Sequence, residues 1–189
     1  MDPQEVIDFW VKDVGPKGWY EQSDELDQTI RDRFMDVWEC ARDGKLHGWL
    51  ASAEGILAYL IVTDQFPRNM FRNDPRAFST DRLARAAAKQ AVDQDFDMRV
   101  AEPERQFFYL PMMHSECLTD QDRCVRLMML GMSADSSVLH ARAHREIIRK
   151  FGRFPYRNEA LSRNSSEEEL AFINQGGYGA IVRELQAAA

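Results

Sequence analysis

Ser52-Ala53-Glu54-Gly55-Ile56-Leu57-Ala58-Tyr59-Leu60-Ile61-Val62 is the stretch on which the fold turns. Ser52 is a helix-capping residue type, and residues 56–62 are apolar on every side of a helix, the pattern of one buried all round. A short apolar run read alone also fits a buried strand, so its neighbours arbitrate. Upstream, Leu26, Ile30, Phe34, Val37, Trp38 and Ala41 follow helical steps that place them on one face, and no period-two alternation is present. Asp24 is placed to cap that helix and Gly44 to stop it. Downstream, Pro67 is predicted to end the buried helix, and the alanine-rich residues 79–92 read as the next one.

The rest of the chain follows the same period. Pro3 with Val6, Ile7, Phe9 and Trp10 predicts a short first helix, broken by Gly15-Pro16-Lys17-Gly18. Residues 103–109, 120–130 and 138–151 read as further helices, the last stopped by Gly152. Ser165-Ser166-Glu167-Glu168 is a capping box ahead of Leu170, Phe172 and Ile173. Gly176-Gly177-Tyr178-Gly179 is expected to loosen the chain before a short alanine-ended tail. The fold class predicted is all-α, with about eight helices packed as antiparallel pairs. No linker, low-complexity tract or regular repeat appears, so residues 1–189 are expected to form a single helical domain.

Composition removes several function classes. Lys and Arg number 24 against 31 Asp and Glu, and a net charge of −7 lacks the basic excess that drives nucleic-acid binding. The longest apolar run, seven residues, is far short of a membrane span. Three cysteines without disulfide spacing, and an acidic N-terminus without a signal pattern, predict a cytoplasmic protein. Charge is uneven, however. Residues 142–163 carry seven Lys and Arg and two Glu, a net of 7 − 2 = +5, which leaves −7 − 5 = −12 for the remainder.

A short pattern occurs twice after a helix. Asp64-Gln65-Phe66-Pro67-Arg68-Asn69 follows the buried helix, and Arg153-Phe154-Pro155-Tyr156-Arg157-Asn158 follows residues 138–151. One reading is structural: Pro halts the helix, Phe packs, and Arg and Asn bond to the last carbonyls. The other is that guanidinium forks held at helix ends bind carboxylate or phosphate. Between them stands His114-Ser115-Glu116, either an acid/base pair or a polar turn tying two helices. His140 and His144 share a helix face, but no glutamate follows the first, so no metal site is expected; a polar cluster around His144 is. Cys117 reads as a buried, inert thiol, and Met112, Met113, Met128, Met129 and Met132 as core filler. No Gly-x-Gly-x-x-Gly, Walker loop or nucleophile elbow is present, and no cofactor is expected.

These motifs together, with Phe108-Tyr109-Leu110-Pro111, the opening Val6-Ile7-Asp8-Phe9-Trp10 and the closing Leu161-Ser162-Arg163-Asn164, resemble the bacterial domain-of-unknown-function 924 family over nearly the whole chain. The resemblance implies an all-helical, tetratricopeptide-like fold without a regular repeat, and it implies no activity. Tyr156 stands where the family pattern often has His, and its hydroxyl can still donate a hydrogen bond.

Two functions follow. The first is a polar pocket for a small anionic ligand, lined by Asp64, Gln65, Arg68, Asn69, His144, Arg153, Arg157 and Asn158, with His114 and Glu116 as acid/base candidates. The second is a helical scaffold for a peptide or protein partner, in which the motifs are struts. A homodimer is compatible with either.

Overall fold

Ser52 caps the buried helix, its Oγ accepting the Gly55 N–H at 3.1 Å, in a computed structural model that describes residues 1–188. Among the described residues there are nine α-helices of five or more residues and no β-strand. The chain divides into two compact units, Met1–Pro111 and Met112–Ala189.

The first unit is built around helix Ala53–Leu60, in which every residue but Glu54 is buried. Pro67 does not end this helix. The chain passes through a π-helical turn, Ile61–Gln65, into helix Phe66–Met70, because widening the turn accommodates a proline that has no N–H and crowds the preceding turn. The carbonyls that lose their usual partners find others. The Thr80 hydroxyl donates to the Thr63 carbonyl at 2.6 Å and accepts from Trp38 Nε1 at 3.3 Å. The Arg68 guanidinium donates to the Asp64 carbonyl.

Helix Asp24–Arg42 is capped by Ser23 rather than Asp24: Ser23 Oγ accepts the Leu26 N–H at 3.2 Å. Asp24 becomes the first helical residue, where its charge complements the helix dipole. Ile30, Phe34, Val37, Trp38 and Ala41 are buried along one face, as their spacing predicts. Phe66 sits at the centre of an aromatic cluster, 4.7 Å from Phe34 and 5.5 Å from Trp10 between ring centroids. Helices Pro3–Ile7 and Asp81–Asp93 both pack on Ala53–Leu60.

In the second unit, helices Leu118–Gly131 and Asp135–Phe151 are joined through residues 132–134, a connection short enough to make them antiparallel neighbours. Gly152 stops the second helix at φ 68°, the left-handed position that glycine occupies without strain. Helix Glu167–Asn174 begins at a capping box one residue beyond the tetrad read from sequence. Ser166 Oγ accepts the Glu169 N–H at 3.2 Å, and Glu169 Oε2 accepts the Ser166 N–H at 2.8 Å. The glycines that follow do not loosen the chain. Gly176, at φ 103°, opens helix Gly177–Ala187, which packs on Asp135–Phe151 through half-buried Tyr178 and Ile181. Packing against that helix offsets the low helix propensity of Gly177 and Gly179. Ile147, Ile148, Phe154 and Phe172 form the core of this unit.

Candidate functional site

The first Phe-Pro motif lies in the first unit and is saturated by its own surroundings. Asp64, 1% exposed, faces Arg68 at 3.3 Å and accepts from Gln65 Nε2 at 2.6 Å. The other end of the Arg68 guanidinium reaches Asp81 at 3.0 Å. Asn69 Nδ2 donates to Asp27 Oδ1 at 2.9 Å, and Arg72 grips the same carboxylate through Nε and a terminal nitrogen. Four of the predicted residues, Asp64, Gln65, Arg68 and Asn69, are therefore brought together, with their charges neutralised internally.

The second motif repeats this arrangement in the second unit. Arg153 forks onto Glu169 at 2.6 and 2.8 Å and bonds the Asn164 carbonyl at 2.9 Å. Asn158 Nδ2 donates to Ser165 Oγ at 3.0 Å and to Glu169 Oε2 at 3.2 Å. The Arg153 fork, with the Ser166 N–H, holds the Glu169 carboxyl down at about 2. In both motifs the Phe is fully buried, and the Asn clamps a carboxylate in the first turn of another helix, Asp27 in one case and Glu169 in the other. Neither carboxylate was singled out from sequence. Glu169 carried a readable signal as the third residue after a Ser cap, whereas Asp27 looked like any acid in a first helical turn.

Glu116, an acid/base candidate, holds the loop that follows Gly152. Its two oxygens accept from the Phe154 N–H at 2.8 Å and from both terminal nitrogens of Arg163 at 2.8 and 3.0 Å. Burial pushes its carboxyl up. The Arg163 fork, the Phe154 N–H and the charge of Arg157 outweigh that push and leave it below the usual carboxylate value. A carboxylate so engaged is a stable anion rather than a proton donor. The preceding turn is fixed by Gln121, fully buried, whose Nε2 donates to the Met113 and Ser115 carbonyls at 2.6 and 2.7 Å. Ser115 Oγ donates to Asp120 Oδ2 at 2.8 Å. Cys117 is exposed rather than buried, because it precedes the first turn of helix Leu118–Gly131 instead of lying on its inner face.

Phe154 is the hub of the remaining polar groups. The Arg157 guanidinium lies 4.5 Å from its ring centroid and Tyr156 stacks on it at 5.4 Å. The His144 ring stands edge-on to Phe154 at 5.6 Å, with Tyr178 at 4.8 Å and His114 at 6.2 Å. His144 Nδ1 donates to the His140 carbonyl at 2.9 Å, which assigns the proton of the neutral ring to Nδ1 and leaves Nε2 as an acceptor. Burial, with the neighbouring charges of His114 and Arg157, pushes His144 down to about 3. Tyr178, raised to about 12 by burial, stays protonated and hydrogen-bonds His140 Nδ1. Among the described residues, no group of three or more His, Cys, Asp or Glu is placed to hold a metal ion. No helix among them is long and apolar enough to cross a membrane.

Two all-helical units, each organised by a buried Phe-Pro turn clamped onto the first turn of another helix, define the class of protein. The chain belongs to the family described as bacterial protein of unknown function (DUF924), whose model matches residues 6–177. A solved structure of a protein of unknown function from Agrobacterium tumefaciens is similar to it, with 38% identity and a TM-score of 0.87, covering 92% of this chain and 97% of that one. No curated protein matches the chain significantly.

Proposed function

We propose that the protein binds a small anionic molecule at the Phe154-centred cluster of its second unit. Arg157 supplies the positive charge and His144 a neutral ring that takes up a proton as the anion arrives. The observation that carries this reading is the convergence of the Arg157 guanidinium, 4.5 Å from the Phe154 ring centroid, and the His144 ring, edge-on at 5.6 Å with its Nδ1–H tied to a carbonyl, on one aromatic ring. Burial and positive neighbours keep that histidine neutral. An anion reverses the local field, and the ring regains affinity for a proton at Nε2. Glu116, already ionised and held by Arg163, fixes the Phe154 backbone instead of exchanging protons. Arg68, Arg153, Asn69 and Asn158 act as struts in this reading.

Calorimetry with inorganic phosphate and small carboxylates, in buffers of different ionisation enthalpy, tests it. Binding is expected to take up a proton at about pH 4–6, because an anion close by raises a group that titrates at about 3 by roughly 1–3 pH units. His144→Gln is expected to abolish that uptake. If no anion binds, or if uptake persists in the variant, the reading fails. The scaffold reading draws on the internal saturation of both motifs. It requires that Arg68→Ala lower the melting temperature without weakening any small-anion binding.

A further inference from the structure

A groove of about 670 Å³ in the second unit is lined by Asp135, Ser136, Val138, Leu139 and Arg142 from one helix, flanked by Met129, Met132 and Leu185. Asp135, Val138, Leu139 and Arg142 are spaced i, i+3, i+4 and i+7, so they form one stripe along helix Asp135–Phe151. The stripe has a negative end, an apolar middle and a positive end. Neither the Asp135 nor the Arg142 side chain makes a hydrogen bond or ion pair among the described residues, although Arg145, Arg149, Arg153 and Arg163 nearby in sequence all do. The apolar surface continues beyond the stripe. Met129 is 56% exposed and Leu130 is 79% exposed, so Met129 is not the core filler its hydrophobicity suggests. Exposed apolar side chains next to a groove with unpaired charges mark an interaction surface.

We infer that this surface pairs with the same surface of a second copy of the chain, the two Asp135–Phe151 helices lying antiparallel across a twofold axis between Val138 and Leu139. The charge pattern selects this occupant. Positions 135 and 142 are equidistant from that axis, so each Asp135 meets Arg142 of the other copy while Val138 packs on Leu139. A parallel arrangement would oppose like charges and is disfavoured. Met129 and Leu130 supply further apolar area around the seam, as the centre of an interface between identical subunits requires. The inference is independent of the proposed anion site, since none of the groove residues belongs to the Phe154 cluster.

Sedimentation equilibrium on the full chain tests it with two exposed-site variants. The wild type is expected to be a dimer. Asp135→Arg gives a stripe positive at both ends and Arg142→Glu one negative at both ends, so each alone is expected to dimerise at least roughly tenfold more weakly. An equimolar mixture of the two variants restores both attractive pairs and is expected to form a heterodimer. Unchanged circular dichroism of the single variants would show that the fold is intact. A monomeric wild type, a dimer indifferent to the single substitutions, or a mixture that remains monomeric would each overturn the inference.

Discussion

Replacing Asp27 with Ala removes the acceptor on which the first Phe-Pro motif closes, and the size of the loss can be worked out partner by partner. Asp27 is 3% exposed and takes bonds from Asn69 and Arg72, 42 and 45 residues away. Asn69 is 8% exposed, so its amide loses a partner where water scarcely reaches, at a cost of about 1–3 kcal/mol. The Arg72 side chain is 33% exposed and rehydrates, so the ion pair adds only about 1 kcal/mol after solvent screening. The sum is about 2–4 kcal/mol, and at roughly 2–4 °C per kcal/mol for a chain of this size the melting temperature should fall by about 5–15 °C. Asp27→Asn keeps a carbonyl acceptor for Asn69 and should cost about half as much. Urea unfolding followed by circular dichroism gives the free energies. A double-mutant cycle with Arg72→Ala isolates the pair. A loss below about 0.5 kcal/mol for Asp27→Ala, the range of an ordinary surface substitution, would refute the strut reasoning and return Asn69 to the list of ligand contacts.

Two further outcomes follow from the same packing. At Gly55 an added Cβ would lie 2.1 Å from the Trp49 carbonyl oxygen, a backbone atom that cannot swing aside. Gly55→Ala should therefore destabilise by about 3 kcal/mol in thermal unfolding, and a melting temperature equal to wild type would contradict the close approach. His144 titrates near 3 in the folded protein against an ordinary 6.5, so between those values the unfolded chain binds the extra proton. Its stability contribution is complete above pH 6.5 and is lost as pH falls toward 3, by at most about 1.4 kcal/mol per pH unit. The depressed Glu169 adds acid sensitivity only below about 4.5, and burial also lowers His140, so within the window from 6.5 to 4.5 the comparison with a His144 variant is what separates the two histidines. In that window, wild type should lose stability relative to His144→Gln, and parallel stability curves would disprove the assignment.

The fold was readable where the forces are local. The stripe from Ile30 to Ala41, the Ser52 cap and the Gly152 stop each depend on neighbours within a turn or two, and each appears where the spacing puts it. Pro67 reads as a helix end in the sequence because the group that rescues the Thr63 carbonyl is Thr80, seventeen residues on. The Gly176–Gly179 segment reads as loose for a similar reason. Glycine propensity argues against a helix, and only the surface of Asp135–Phe151 outweighs it. Candidate residues were recognisable by type but not by role. Arg153, Arg157 and Arg163 are equivalent in the sequence, yet Arg153 and Arg163 fork onto carboxylates and Arg157 lies on the Phe154 ring beside His144.

The sequence by itself determined that the chain is helical, which face of each long helix is apolar, and that the two Phe-Pro turns deserve comparison. Those properties arise from side-chain periodicity and capping, whose energies are settled within a few residues. Tertiary structure alone decided which carboxylate each motif holds, that Glu116 is bound to Arg163 forty-seven residues away, and that His144 is neutral. Burial and the charges that reach a group across the fold set those states, and they exist only after distant helices have excluded water together.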